Sequence, residues 1–137
     1  QKLKYKDYFP KMPNGLPGIE TRGPVMFSAG VASGKITENE FVRVCSSNTA
    51  KLMGMYPEKG RIAPGADADI ILVDPNAKYV MKTEDLHMMT DYTPFEGMEM
   101  TGRFTDVIVG GKLVIENGKH NGRVEGKEIK RHSPTLY

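Results

Sequence analysis

The chain has 137 residues, 39% of them hydrophobic and 26% charged, the composition of an ordinary globular piece. A formal net charge of +2 is too small to argue for nucleic acid or an anionic membrane as a partner. No apolar run is long enough to span a bilayer, and the single cysteine, Cys45, excludes an internal disulfide and fits a reducing, cytoplasmic compartment.

Gln1 opens a stretch with no charged-then-apolar leader, and a chain that starts without Met reads as a fragment or a processed product. Residues 1–23 are polar, dotted with aromatics and broken by Pro10, Pro13 and Pro17, which predicts an ordered loop. Within it, "PNGLPGIETRG" (Pro13–Gly23) has too much proline and glycine for helix or strand. Leu16 and Ile19 keep it from being simply solvated slack. Such a loop either redirects the chain or presents backbone groups to a ligand. Glu20 and Arg22 are spaced for a local ion pair that would hold it.

From Pro24, "PVMFSAGVASGK" predicts a short helix with proline in its first turn and Gly34 near its end. Thr37 then precedes Glu40 by the spacing of a capping box, and Phe41, Val44 and Cys45 recur at helical intervals. That pattern puts Cys45 on the apolar side, buried and inert. Asn48 is placed to cap a second short helix, "TAKLM", ended by Gly54.

After Gly60 the period changes. "ADIILVDP" predicts a buried strand closed by its Asp-Pro turn, and "DVIVGGKLVIENGK" a hairpin turning at Gly110-Gly111, with Asn117-Gly118 as a further turn. Residues 119–137 are basic and poor in branched aliphatics, which predicts an extended arm.

Machinery for catalysis is incomplete. His87, His120 and His132 stand in no H-x-H or H-E-x-x-H spacing, and read as surface or supporting residues. Ser46 and Ser47 lack the G-x-S-x-G context of an elbow nucleophile. Asp67 and Asp69 in "GADAD" form a carboxylate pair, but before a strand aspartates commonly bind backbone amides, so a structural role is expected. Gly60 and Gly65 lack the Gly-Lys-Ser/Thr end of a phosphate loop.

"NTAKLMGMYPEKGRIAPGADADIILVDP" resembles the passage in cyclic amidohydrolases from the last barrel helix into the C-terminal β-domain. Taken with "MPNGLPGIETR" and "TPFEGMEMTGRFTDVIVGGKLVIENGK", the chain is similar to D-hydantoinases and dihydropyrimidinases over nearly its whole length. The resemblance implies an α/β plus β architecture: the last helices of a TIM (β/α)8 barrel followed by the C-terminal part of a β-sandwich domain. Residues 1–56 would then be the substrate loop and terminal barrel helices, 57–118 the sandwich portion and 119–137 the arm.

The same resemblance implies two zinc ions held by an H-x-H pair, a carboxylated lysine, two histidines and an aspartate. All would lie upstream of Gln1, so no metal ligand and no catalytic residue is expected in this chain. The substrate would be a small cyclic amide, opened to an N-carbamoyl amino acid, and the parent a homotetramer whose C-terminal arms reach neighbouring subunits. Asn14 matches the asparagine whose main-chain groups hydrogen-bond the substrate ring in that family. A non-catalytic dihydropyrimidinase-like scaffold protein is the alternative, although those proteins carry a long Ser/Thr/Pro-rich tail. A piece of this kind would expose unpaired strand edges and apolar faces, and is expected to associate.

Overall fold

The structure, a computed structural model, describes residues 2–122 and 125–135. Two single 3-10 turns, Leu3–Tyr5 and Phe9–Lys11, precede the proline-rich loop, which has no regular structure up to Thr21. Helix α1 (Arg22–Met26) follows and continues without a break as a π-helical stretch, Phe27–Ala32. Helix α2 (Glu38–Val42) opens on the expected capping box: Glu40 N–H donates to Thr37 Oγ1 (3.2 Å), and Thr37 N–H to Glu40 Oε2 (2.8 Å).

Two expectations fail in this helix. It runs on through a π-helical stretch, Arg43–Ser47, into α3 (Asn48–Leu52), so Asn48 caps nothing and lies inside a continuous helix. Cys45 is exposed rather than buried. Val44 beside it is exposed as well, so this turn of the helix packs on nothing within this chain.

The sheet is antiparallel, in the order β1 (Ile70–Val80), β2 (Glu99–Val109), β3 (Lys112–Glu116), β4 (Lys119–His120). The hairpin turns at Gly110-Gly111 as predicted, with both φ angles positive (56° and 79°), the backbone that a two-residue turn joining twisted strands demands. β1 departs from expectation twice. Within this chain it is an edge strand with Ile71 and Leu72 about half exposed, so nothing here buries it as expected. Nor does Asp74-Pro75 close it: the register with β2 slips between Asp74 and Lys78, and pairing resumes to Val80↔Glu99. A residue without N–H breaks no ladder bond inside a bulge, and Asp74 Oδ1 accepts the Asn76 amide there (2.9 Å).

The core forms where the helices meet β2. Phe27 is 6% exposed and stands edge-on to Phe41 (5.6 Å between centroids) and to Phe104 of β2 (6.4 Å). Burying that ring contributes about 2–3 kcal/mol, and each edge-to-face pair roughly 1 more. Beyond the end of β3, Ser28 Oγ accepts the Thr101 amide of β2 (3.0 Å) and ties helix to strand.

The expected arm, residues 119–137, does not begin as one: Lys119–His120 pair with β3 as β4, because the Asn117-Gly118 turn folds them back. Only after them does the chain lack regular structure among the described residues; Arg123, Val124, Leu136 and Tyr137 lie outside these. It does not hang free. His132 N–H donates to Gly54 O (2.7 Å) and Thr135 N–H to Lys51 O (3.1 Å), which seats it on the end of α3.

Candidate functional site

The stiff loop carries Asn14 to the surface, where it is exposed. Next to it, the Gly15 carbonyl accepts from the Lys2 ammonium. At the loop's other end Thr21 is fully buried, Arg22 N–H donates to Gly18 O (2.9 Å) and Val25 N–H to Thr21 O (2.9 Å), so the exit into α1 is firmly set. Between these points Leu16 is 75% and Ile19 91% exposed, so within this chain apolar packing does little to hold the middle.

The expected Glu20–Arg22 ion pair does not form. Glu20 turns instead to His87, with Oε1 2.8 Å from His87 Nδ1 and Oε2 accepting the His87 backbone amide at 2.7 Å. Each oxygen of the Glu20 carboxylate thus meets a nitrogen of His87, one on the ring and one on the backbone. His87 is 67 positions away, and no local pattern signals that partnership.

Glu20 and His87 also border a cleft of about 420 Å³, lined further by Pro24, Leu86, Phe104 and Ile115. On its wall the Arg103 guanidinium lies 5.0 Å from the Tyr79 ring centre; burial pushes the Tyr79 hydroxyl up, and Arg103 partly offsets this. Asn14 does not line this cleft.

The remaining candidates are structural. Ser47 Oγ donates to Gly60 O (2.7 Å). His132 pairs with Glu58 (3.3 Å), whose carboxyl is held below its ordinary range first by its own backbone amide and then by His132. His120 sits on β4 at the rim of the cleft. Among the described residues, no three of the His, Cys, Asp and Glu side chains converge as metal ligands.

Asp67 and Asp69 have the structural role expected of them. Asp69 Oδ1 accepts the Gly110 amide (2.8 Å), bracing the hairpin turn, and Oδ2 pairs with Lys59; Asp67 bridges Lys59 (3.0 Å) and Lys127 of the arm (2.8 Å). Lys127 first, then Lys59, lowers the Asp67 carboxyl. At Asp69 burial raises the value, but Lys59 and the Gly110 amide outweigh it and the net is downward. Asp69 raises the Lys59 ammonium, burial opposes and Asp67 adds.

Two lowered carboxylates contribute stability that is complete above the ordinary carboxylate range of about pH 4, and that is lost as pH falls through their depressed values. The raised ammonium contributes below about pH 10 and is lost as pH rises through its own value. Asp67→Asn is therefore expected to lower the melting temperature by a few degrees at pH 7, and by markedly less at pH 3. Equal losses at both pH values, in thermal melts followed by circular dichroism, would contradict this assignment.

Comparison with known proteins adds the following. The sequence profile of the amidohydrolase family matches residues 19–114. The chain is 45% identical over 124 residues to a D-hydantoinase of Geobacillus stearothermophilus, covering 90% of this chain and 26% of that protein. Its fold matches a dihydropyrimidinase from Brevibacillus agri with a TM-score of 0.81 and 46% identity, over 88% of this chain and 26% of that one. It also matches a D-hydantoinase (dihydropyrimidinase) from a Thermus species with a TM-score of 0.87 and 36% identity, over 100% of this chain and 30% of that one. The chain thus spans about a quarter of the length of the curated relatives it matches. No helix among the described residues is long and apolar enough to cross a membrane.

Proposed function

Because the chain belongs to the amidohydrolase family, with D-hydantoinases and dihydropyrimidinases as its relatives, we propose that it is the C-terminal portion of a cyclic amidase of that kind. The whole enzyme hydrolyses the ring amide of dihydropyrimidines or 5-substituted hydantoins to N-carbamoyl amino acids. The observation that carries this reading is the 45% identity to a D-hydantoinase over 90% of the chain. On it, residues 1–56 supply the substrate loop and the last helices of the (β/α)8 barrel, 57–118 part of a β-sandwich, and 119–137 an arm toward neighbouring subunits of a homotetramer.

Two zinc ions belong to the whole enzyme on this reading, but the described residues do not fit a metal site. The chain's own share of the chemistry is to bind and orient substrate. Asn14 is the residue assigned to that work, through its main chain. The –CO–NH–CO– edge of a cyclic imide matches one backbone donor and one backbone acceptor, and the proline-rich loop holds both with little freedom to lose on binding.

The test uses the full-length, metal-loaded enzyme with dihydrouracil and hydantoin as substrates. Failure to release an N-carbamoyl product from either would refute the proposal. Within the active enzyme, Asn14→Pro removes the N–H donor and is expected to raise KM roughly tenfold, the worth of one hydrogen bond, whereas Asn14→Ala stays within about twofold. Equal losses in two folded variants would move the contact from the backbone to the side-chain amide.

A further inference from the structure

β1 and β2 are antiparallel neighbours, yet residues 81–98 run out between them instead of turning tightly. That excursion is well made. Met81 N–H donates to Met98 O (2.9 Å), Gly97 N–H to Met81 O (2.9 Å) and Thr83 N–H to Glu96 Oε2 (2.8 Å), while Met81 and Thr93 are buried. Long connections with internal structure of this sort commonly serve a site.

Both ends of the Asn14 loop lead to this one segment. At the C-terminal end Glu20 receives both donors of His87, and since a carboxylate only accepts, Nδ1 carries the proton. At the N-terminal end Lys2 holds the Gly15 carbonyl, and the next residue, Leu3, donates its amide to Asp91 Oδ2 (3.2 Å). Within this chain Leu16 and Ile19, between those two points, are exposed and add no further anchor.

We propose that Glu20 and His87 are positioning residues: the β1–β2 connection, through this two-point clamp, sets where the Asn14 main chain meets a cyclic amide. The inference rests on the substrate role assigned to Asn14 above. Because the His87 backbone amide supplies one of the two bonds, the carboxylate matters more than the imidazole. The loop binds without reacting, so its displacement weakens ground state and transition state alike.

The experiment uses the full-length enzyme with dihydrouracil, reading kcat and KM separately, together with exchange of the Arg22 and residue-87 amides, which donate to Gly18 O and Glu20 Oε2. Glu20→Ala is expected to raise KM about five- to tenfold with kcat within about twofold, as loss of uniform binding does. His87→Ala keeps the backbone bond and is expected to raise KM only about two- to threefold. His87→Asn, whose side-chain amide can donate from near the Nδ1 position, is expected to recover most of that loss. Exchange should quicken in Glu20→Ala and recover in His87→Asn relative to His87→Ala.

A Glu20→Ala enzyme with unchanged KM and unchanged exchange would overturn the clamp, and if Asn14→Pro still raises KM the substrate role of the loop survives it. A fall in kcat proportional to the folded fraction, at constant KM, would also overturn it by making the pair merely structural. Quickened exchange with KM unmoved in both Glu20→Ala and Asn14→Pro would instead show that the substrate reading had failed, and the positioning role with it.

Discussion

Prepared by itself, the 137-residue chain is expected to hold no stoichiometric zinc and to hydrolyse neither dihydrouracil nor hydantoin. Tight zinc binding needs three or four donors converging at about 2.0–2.3 Å. Here His87 is engaged by Glu20, His132 by Glu58, and both aspartates of "GADAD" by lysines, and no three candidate ligands converge among the described residues. On the proposed reading the loop orients a ring but supplies neither a hydrolytic nucleophile nor its activation. Relative to the whole enzyme the loss should be at least about 10⁶-fold, the lower end of enzymatic rate enhancements. The whole enzyme should lose activity to a strong chelator and recover it with added zinc. Metal analysis finding two tightly held ions per isolated chain, or any ring opening by it above the buffer rate, would overturn the assignment.

Gly102→Ala is expected to damage the fold severely. Gly102 lies in β2 with φ of +90°, where an L side chain is strained by roughly 1–2 kcal/mol. A Cβ there would also stand 2.3 Å from two ring carbons of Phe27. That ring cannot simply swing aside, because Phe41 and Phe104 meet it edge-on and it is almost fully buried. Overpacking of such a core costs about 1–3 kcal/mol more, for a total of roughly 2–5 kcal/mol. Denaturant unfolding should show this as a large drop in midpoint. Relieving the clash with Phe27→Leu in the same chain should recover part of the loss but not the backbone strain. A Gly102→Ala chain within about 0.5 kcal/mol of the parent, the range of an ordinary surface change, would show that the helix–strand contact is looser than described.

Features written in a few adjacent residues were legible without coordinates. The Thr37/Glu40 capping box, the Gly110-Gly111 hairpin turn and the Asn117-Gly118 turn, with φ of 49° and 75°, all appear where their residue types demand them. The proline and glycine content that keeps Pro13–Gly23 out of helix and strand is local in the same sense. β2 was only half visible: its first residues, "EMTGRFT", interrupt an alternating pattern with Gly102, and that glycine is there for the Phe27 ring rather than for the strand.

Other features depend on partners far away in the chain. Asp-Pro reads as the end of a strand until β2 is present to carry pairing across the bulge to Val80. Cys45 reads as buried until the structure shows nothing in this chain packed over it. Glu20 reads as the partner of Arg22, two residues on, until the fold delivers His87 with two donors. By itself, then, the sequence determined the turns, the helix start, the irregular course of the loop and the family, because each is encoded in short-range sterics and hydrogen bonding or in the order of residues. Only the tertiary structure decided which segment holds the loop in place, because a carboxylate pairs with whichever donors the completed fold sets opposite it.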